Sequence, residues 1–285
     1  MTITEFPKKS NNYQSKAVLK AGEVALVGSG PGDVELLTLR ALRFIEQADI
    51  TIYDRLVSDE ILALLPENTE KFYVGKEQAK HCVPQDKINQ LLLEHAKLGK
   101  RVLRLKGGDP FIFGRGGEEA EYLLQNGVSC HICPGITAAS GCTSYAGIPL
   151  THRGVAQGCT FITGHMQNNG QLNLPWQSLV SKQQTVVFYM GINTLDKITE
   201  QLIAHGRAPE TPAALIRKGT QTEQQVFRGQ LAQLSNLVKQ HNITPPTLIV
   251  IGEVVDQLTT EQLSTPGFLS ANEYKNSNKT VIKLA

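Results

Sequence analysis

The chain lacks a long apolar run. In 285 residues its most apolar stretches, such as Thr247 to Ile251, are far too short to cross a bilayer, so no membrane span is predicted. It also lacks a charge of one sign. Its 28 lysines and arginines against 26 acids leave +2, too little by itself to draw the chain to nucleic acid or to a membrane surface. The N-terminus, MTITEFPKKSNNYQ, is polar and has none of the apolar core of a secretory signal. Five cysteines are an odd count, and reduced thiols in the cytoplasm are the simplest expectation. Cys130 and Cys133 form a C-x-x-C with no second pair to match it, and packing of a strand over 128–133 accounts for them, so no metal site is predicted. There is no short-period repeat and no low-complexity tract.

A nucleotide-binding fingerprint is also missing, although one stretch comes close. "VALVGSGPGDVELLTLRAL" (24–42) opens as a buried strand over 23–27, turns through glycines, and continues as a helix expected over 36–47 with Asp33 as its N-cap. A second strand over 50–53 ends at Asp54, about where a ribose-binding carboxylate would lie. The dinucleotide pattern G-x-G-x-x-G, however, needs a glycine where Asp33 stands. Pro31 removes a backbone N–H from the turn that would hold a pyrophosphate. No Gly-Lys-Ser/Thr follows, so the turn is not a P-loop. An NAD-dependent oxidoreductase therefore fails on spacing.

What is present is an alternation of strands and helices. Strands are expected over 102–105, 128–133, 159–163, 185–190, 213–217 and 247–251. Helical patterns fall over 118–124, 136–145, 195–204 and 231–240. Residues 147–154 read as a crossing between two such series. The expected fold is two α/β domains with a ligand cleft between them. Its parts are a flexible tail at 1–21, an N-terminal domain at 22–148, a C-terminal domain at 149–262 and a peripheral tail at 263–285.

Glycine clusters recur at the strand ends. Gly107 and Gly108 would let backbone approach a ligand with no Cβ in the way. Asp109 reads either as a turn cap or as an acceptor for an amine or a ribose. Met190 reads as a core filler or as a surface for a flat group. Arg55, Arg104, Lys106, Arg115, His152 and Arg153 lie in or beside these motifs as candidate partners for carboxylates, Arg55 and Arg115 foremost.

The strings "VGSGPGDVELLTLRAL" (27–42), "YDRLVS" (53–58), "VGK" (74–76), "GGDPFIFGRGGEE" (107–119), "PGITAASG" (134–141), "GIPLTHR" (147–153) and "FYMG" (188–191) occur in this order. Together they resemble the uroporphyrinogen-III C-methyltransferases of the tetrapyrrole methylase family, over about residues 22–257. The resemblance implies S-adenosylmethionine folded into the interdomain cleft, with S-adenosylhomocysteine as product, and two methyl transfers to uroporphyrinogen III to give precorrin-2 for sirohaem or cobalamin. It implies cofactor contacts at Pro31, Gly107, Gly108, Asp109, Ile112, Thr137, Ala138, Met190 and Gly219. It further implies Asp54 as proton acceptor, Lys76 as proton donor, a homodimer, and no nucleic-acid or membrane partner. Sister methylases acting on RNA or protein are less similar to the full 53–58 and 107–119 strings. A binding protein that merely keeps the fold is not suggested, because Asp54, Lys76 and every glycine loop are present.

Overall fold

The computed structural model describes residues 18–75, 83–166 and 172–258. The first half builds a parallel sheet of five strands in the order β3-β2-β4-β1-β5. These are β1 (Val24–Gly28), β2 (Ile50–Tyr53), β3 (Glu70–Tyr73), β4 (Val102–Lys106) and β5 (Cys130–Cys133). Between them run α1 (Leu39–Ile45), α2 (Asp59–Leu62), α3 (Gln85–Lys97) and α4 (Gly116–Gln125). β1 and β4 are buried along their whole length, as strands covered on both faces must be. Alternate residues serve opposite faces. Ala25, Val27, Leu103 and Leu105 pack with Phe44 and Ile45 of α1, whereas Val24, Leu26, Ile50 and Ile52 pack with Leu92 of α3 and Leu123 of α4.

This topology creates a crevice. β1 and β4 are neighbours, yet β1 hands over to α1 on one face and β4 to α4 on the other. Loops that part in this way at the carboxyl ends of adjacent parallel strands mark the switch point where ligands of open α/β sheets bind.

The second half builds a mixed sheet in the order β6-β7-β10-β8-β9. Its strands are β6 (Gly158–Thr163), β7 (Gln184–Tyr189), β8 (Pro212–Arg217), β9 (Gln225–Gln230) and β10 (Thr247–Ile251). Only β6 and β7 pair in parallel. α6 (Leu195–Ala204) and α7 (Leu234–His241) cover one face, with Ile198, Leu202 and Leu234 against Val186, Leu215 and Ile249. On the other face lies α5 (Ala138–Tyr145), whose Ala139 and Cys142 pack with Val187, Ala214 and Val250. α5 thus precedes the crossing in sequence but belongs to the second sheet by packing. At the N-terminal end Leu19 is buried among residues of the first sheet's core.

Two expected elements differ, and two unexpected strands are present. The single helix over 36–47 is broken in two. Asp33 caps a short 3-10 turn over Val34–Leu36, Leu37 returns to extended backbone, and Thr38 caps α1 by accepting the Ala41 N–H at 3.1 Å. The strand expected to reach Met190 stops at Tyr189, because Met190 takes a left-handed φ of 54°. The hairpin partner β9 and the edge strand β3 are additional. Among the described residues no helix is long and apolar enough to cross a membrane.

Candidate active site

Three glycine turns meet at the crevice. A Cβ on Gly28 would stand 2.5 Å from the Gly108 carbonyl oxygen and 2.6 Å from the Gly135 nitrogen. The Gly30 N–H donates to the Gly108 oxygen at 3.2 Å, and the Gly108 N–H donates back to the Gly30 oxygen at 2.7 Å. Gly30 and Gly108 hold φ values of 73° and 69°, which glycine adopts without steric penalty. Asp109 closes the junction: Oδ2 accepts the Gly135 N–H at 3.0 Å and Oδ1 the Phe111 N–H at 2.9 Å. It is therefore a cap for two loops, and each oxygen retains lone-pair capacity for a further donor.

α5 gathers the remaining candidates. Pro31 packs against Gly141, where a Cβ would meet its Cγ at 2.5 Å, and Gly108 faces Thr137 and Ala138 at the helix start. Thr137 is the N-cap of α5. Its Oγ1 lies 2.6 Å from the Tyr189 hydroxyl, which also accepts the Ala139 N–H at 2.8 Å. Met190 follows, half exposed. Gly219 is pressed against the Cys142 side chain, between Lys218 and Thr220, both in left-handed backbone. The structure thus sets Pro31, Gly108 and Gly219 against the α5 segment that carries Thr137 and Ala138, with Asp109 on the Gly135 turn leading into it and Met190 next to Tyr189, which bonds its first turn. Gly107 abuts Leu56 on the neighbouring turn, and Ile112 lies partly exposed in the β4–α4 loop.

Beside this junction a cavity of about 850 Å³ separates the two halves, toward the upper end of small-molecule sites. Phe111, Phe113, Arg115 and Glu118 form one wall, and Thr163, His165, Met166 and Met190 the other. Phe113 reaches across to Tyr189, with ring centroids 4.9 Å apart. Arg115, at the left-handed N-cap of α4, sets both prongs of its fork on Glu118, at 2.9 and 2.6 Å. That pairing raises its pKa and keeps it charged. Arg55 is exposed in the Asp54 turn and does not line the cavity.

Asp54 sits just past β2. Its Oδ1 accepts the Leu56 N–H at 3.0 Å, and its Oδ2 lies 3.4 Å from Arg104 Nη2. Lys76 lies outside the described residues; Gly75, just before it, is packed against the Arg55 backbone. Arg104 and Lys106 do not serve as surface partners for a substrate. Both are 3 % exposed, because they point into the first half and pair with the buried Glu119. Burial, then the adjacent Arg104, pulls the Lys106 pKa down. Burial pushes the Cys130 and Cys142 thiols up to about 12, which keeps these two in the unreactive thiol form. Tyr189, Glu118, His165 and Glu119 are site residues that sequence reasoning passes over. Only their places within "FYMG" and "GGEE" could have flagged the first, second and fourth.

The model of the family described as Tetrapyrrole (Corrin/Porphyrin) Methylases matches residues 23–235. The chain belongs to the tetrapyrrole methylase family. It is 61% identical over 234 residues to a siroheme synthase of Pseudomonas fluorescens (strain SBW25), covering 82% of this chain and 50% of that protein. The chain therefore spans about half the length of the curated relatives it matches. Among solved structures it is similar to the uroporphyrin III C-methyl transferase from Thermus thermophilus, with 37% identity, a TM-score of 0.70, and coverage of 82% of this chain and 93% of that one. The same Thermus enzyme complexed with S-adenyl homocysteine is 38% identical, with a TM-score of 0.69 and coverage of 82% and 98%.

Proposed function

We propose that this methylase transfers methyl groups from S-adenosylmethionine to two ring carbons of uroporphyrinogen III. The products are precorrin-2 and S-adenosylhomocysteine, and precorrin-2 feeds sirohaem or cobalamin synthesis. The observation that carries this reading is the meeting of three glycine turns with α5 beside a cavity of about 850 Å³. The Thermus relative bound to S-adenyl homocysteine and the Pseudomonas siroheme synthase support it.

The junction fits that cofactor better than a phosphate-linked one. Pro31 offers no N–H, and the acids placed there, Asp33 and Asp109, suit a cation. Gly108 keeps its open side toward Thr137 and Ala138, with nothing nearer than 3.8 Å to an added Cβ. When bound, the sulfonium supplies an electrophilic methyl group whose C–S bond breaks with its electron pair passing to sulfur. Pro31, Gly107, Gly108, Asp109, Ile112, Thr137, Ala138, Met190 and Gly219 would hold it in line with the acceptor carbon. Orientation of this kind can lower a barrier by about 7–11 kcal/mol.

The methylated pyrrole is left cationic and must lose a proton. Asp54, partly exposed at the end of β2, takes it in this reading, and Lys76 returns a proton where the ring needs one. Arg115 and Arg55 would meet substrate carboxylates. We further propose a homodimer located in the cytoplasm, whose state sedimentation would read.

The deciding experiment incubates the protein anaerobically with both compounds and weighs the tetrapyrrole. A gain of two CH2 units is expected, and an unchanged mass rejects the reading. Asp54→Ala is expected to keep cofactor binding while turnover falls about 10²–10⁴-fold. Normal turnover in that variant removes Asp54 from the base role.

A further inference from the structure

We infer that Glu119 is a positioning residue for Asp54, acting through Arg104. The inference rests on Asp54 being the base of the proposed methyl transfer.

Glu119 stands in the first turn of α4 with no exposed surface. Its Oε1 gathers three donors: Gln85 Nε2 at 3.1 Å, Arg104 Nε at 3.2 Å and Lys106 Nζ at 3.0 Å. Its Oε2 has no hydrogen-bond partner among the described residues. A carboxylate held this way is an expensive means of packing a helix, since an apolar side chain of similar volume would serve stability as well or better. Fixing the orientation of its partners is what such a residue adds.

The partner that matters is Arg104. Its guanidinium is held on every side. Nε donates to Glu119, Nη1 to the carbonyls of Leu105 at 2.9 Å and Ile52 at 3.4 Å, and Nη2 faces Asp54 Oδ2 at 3.4 Å. Glu119 therefore holds the planar fork at Nε, and the neighbouring Nη2 presents to Asp54. The Leu56 N–H fixes the other Asp54 oxygen. Between them the turn and the fork determine where the carboxylate faces.

Charge balance makes Glu119 indispensable to that geometry. Arg104 and Lys106 are adjacent buried cations, and Glu119 is the acid that contacts both. Without its charge, Arg104 has Asp54 as its remaining acidic partner. The guanidinium then closes on Asp54 and occupies the oxygen that should accept the proton. Gln85, at the head of α3, also bonds Asn89 and braces the cluster from a third element.

The test is a double-mutant cycle in kcat, with S-adenosylmethionine and uroporphyrinogen III as substrates, on Glu119→Gln, Asp54→Asn and the double variant. Glu119→Gln keeps an acceptor oxygen and loses the charge. Alone it is expected to lower kcat at least about tenfold with little change in the KM for S-adenosylmethionine, and to lower kcat no further once Asp54 is Asn. An equal factor in both backgrounds, or an unchanged kcat, overturns the inference while leaving Asp54 as base. A normal kcat in Asp54→Asn overturns the base reading and the inference with it. If Glu119→Gln does not fold, Arg104→Lys completes the same cycle, because a lysine cannot span Glu119 and Asp54 together.

Discussion

Tyr189 shows how much of the site depends on single oxygens. Its hydroxyl bridges Thr137 Oγ1 and the Ala139 N–H at the start of α5, while its ring stands against Phe113 from the other half. Burial raises its pKa, so it stays protonated and can donate to Thr137 while accepting from Ala139. Tyr189→Phe keeps the ring contact and leaves the Ala139 N–H without its partner. Such a loss amounts to about 1–3 kcal/mol, read as a lower denaturant midpoint. Because Thr137 and Ala138 are proposed cofactor contacts, calorimetry with S-adenosylhomocysteine is expected to show weaker binding, with kcat less affected than KM. Unaltered affinity would separate the start of α5 from the cofactor. The adjacent Met190 is prominent in the sequence, whereas Tyr189 is not. Its role arises from a contact with residues some 50 positions away, which no local pattern records.

At the scale of elements, legibility follows burial. β2 (ITIY) and β10 (TLIVI) are rich in β-branched residues, almost wholly buried, and stand out as strands with their observed limits, Ile50–Tyr53 and Thr247–Ile251. The edge strands β3, with sequence EKFY, and β9, with QVFRGQ, mix polar and apolar residues and do not stand out. The glycine turns are legible for a steric reason: where three backbones meet, no other residue fits. The Arg104–Lys106–Glu119 cluster is hidden because the sequence cannot tell an inward-pointing cation from an outward one. Asp49 and Arg101 likewise tie the starts of β2 and β4. Arg101 Nε donates to Asp49 Oδ2 at 3.1 Å and its backbone N–H to the same oxygen at 2.8 Å. The Arg101 hydrogen bond holds the Asp49 carboxyl below its ordinary pKa. A lowered folded-state pKa gives stability that is present above the unfolded value and lost as pH falls through the folded one. Asp49→Asn is therefore expected to lower stability at neutral pH by about 0.5–1 kcal/mol for so exposed a pair, read as a lower urea midpoint. The gap to the parent protein should close as pH drops below the usual aspartate range. A gap that persists in acid would mean that shape, rather than charge, links these strands.

On the scale of the whole molecule, the two sheets share one seam, and the proposed cofactor site lies on it. The loop after β1 is fastened to the second half through Asp33: Tyr145 donates to Asp33 Oδ2 at 2.7 Å and the Asp33 N–H donates to Thr220 Oγ1 at 3.1 Å, while Gln224 Nε2 braces Tyr145 by donating to its carbonyl at 3.2 Å. α5 completes the seam, since it packs on the second sheet yet carries the residues that face Gly108 of the first. A ligand seated there touches both halves and must stabilise both, by about 2.7 kcal/mol when its free concentration is one hundred times its Kd. Hydrogen exchange with S-adenosylhomocysteine is accordingly expected to slow together in β1 and β4 of the first sheet and in β7 and β10 of the second. Tyr145→Phe, which cuts one fastening, should weaken that coupling. Protection confined to one sheet would place the ligand away from the seam and undo the assignment of Pro31, Asp109 and Met190 to a common site.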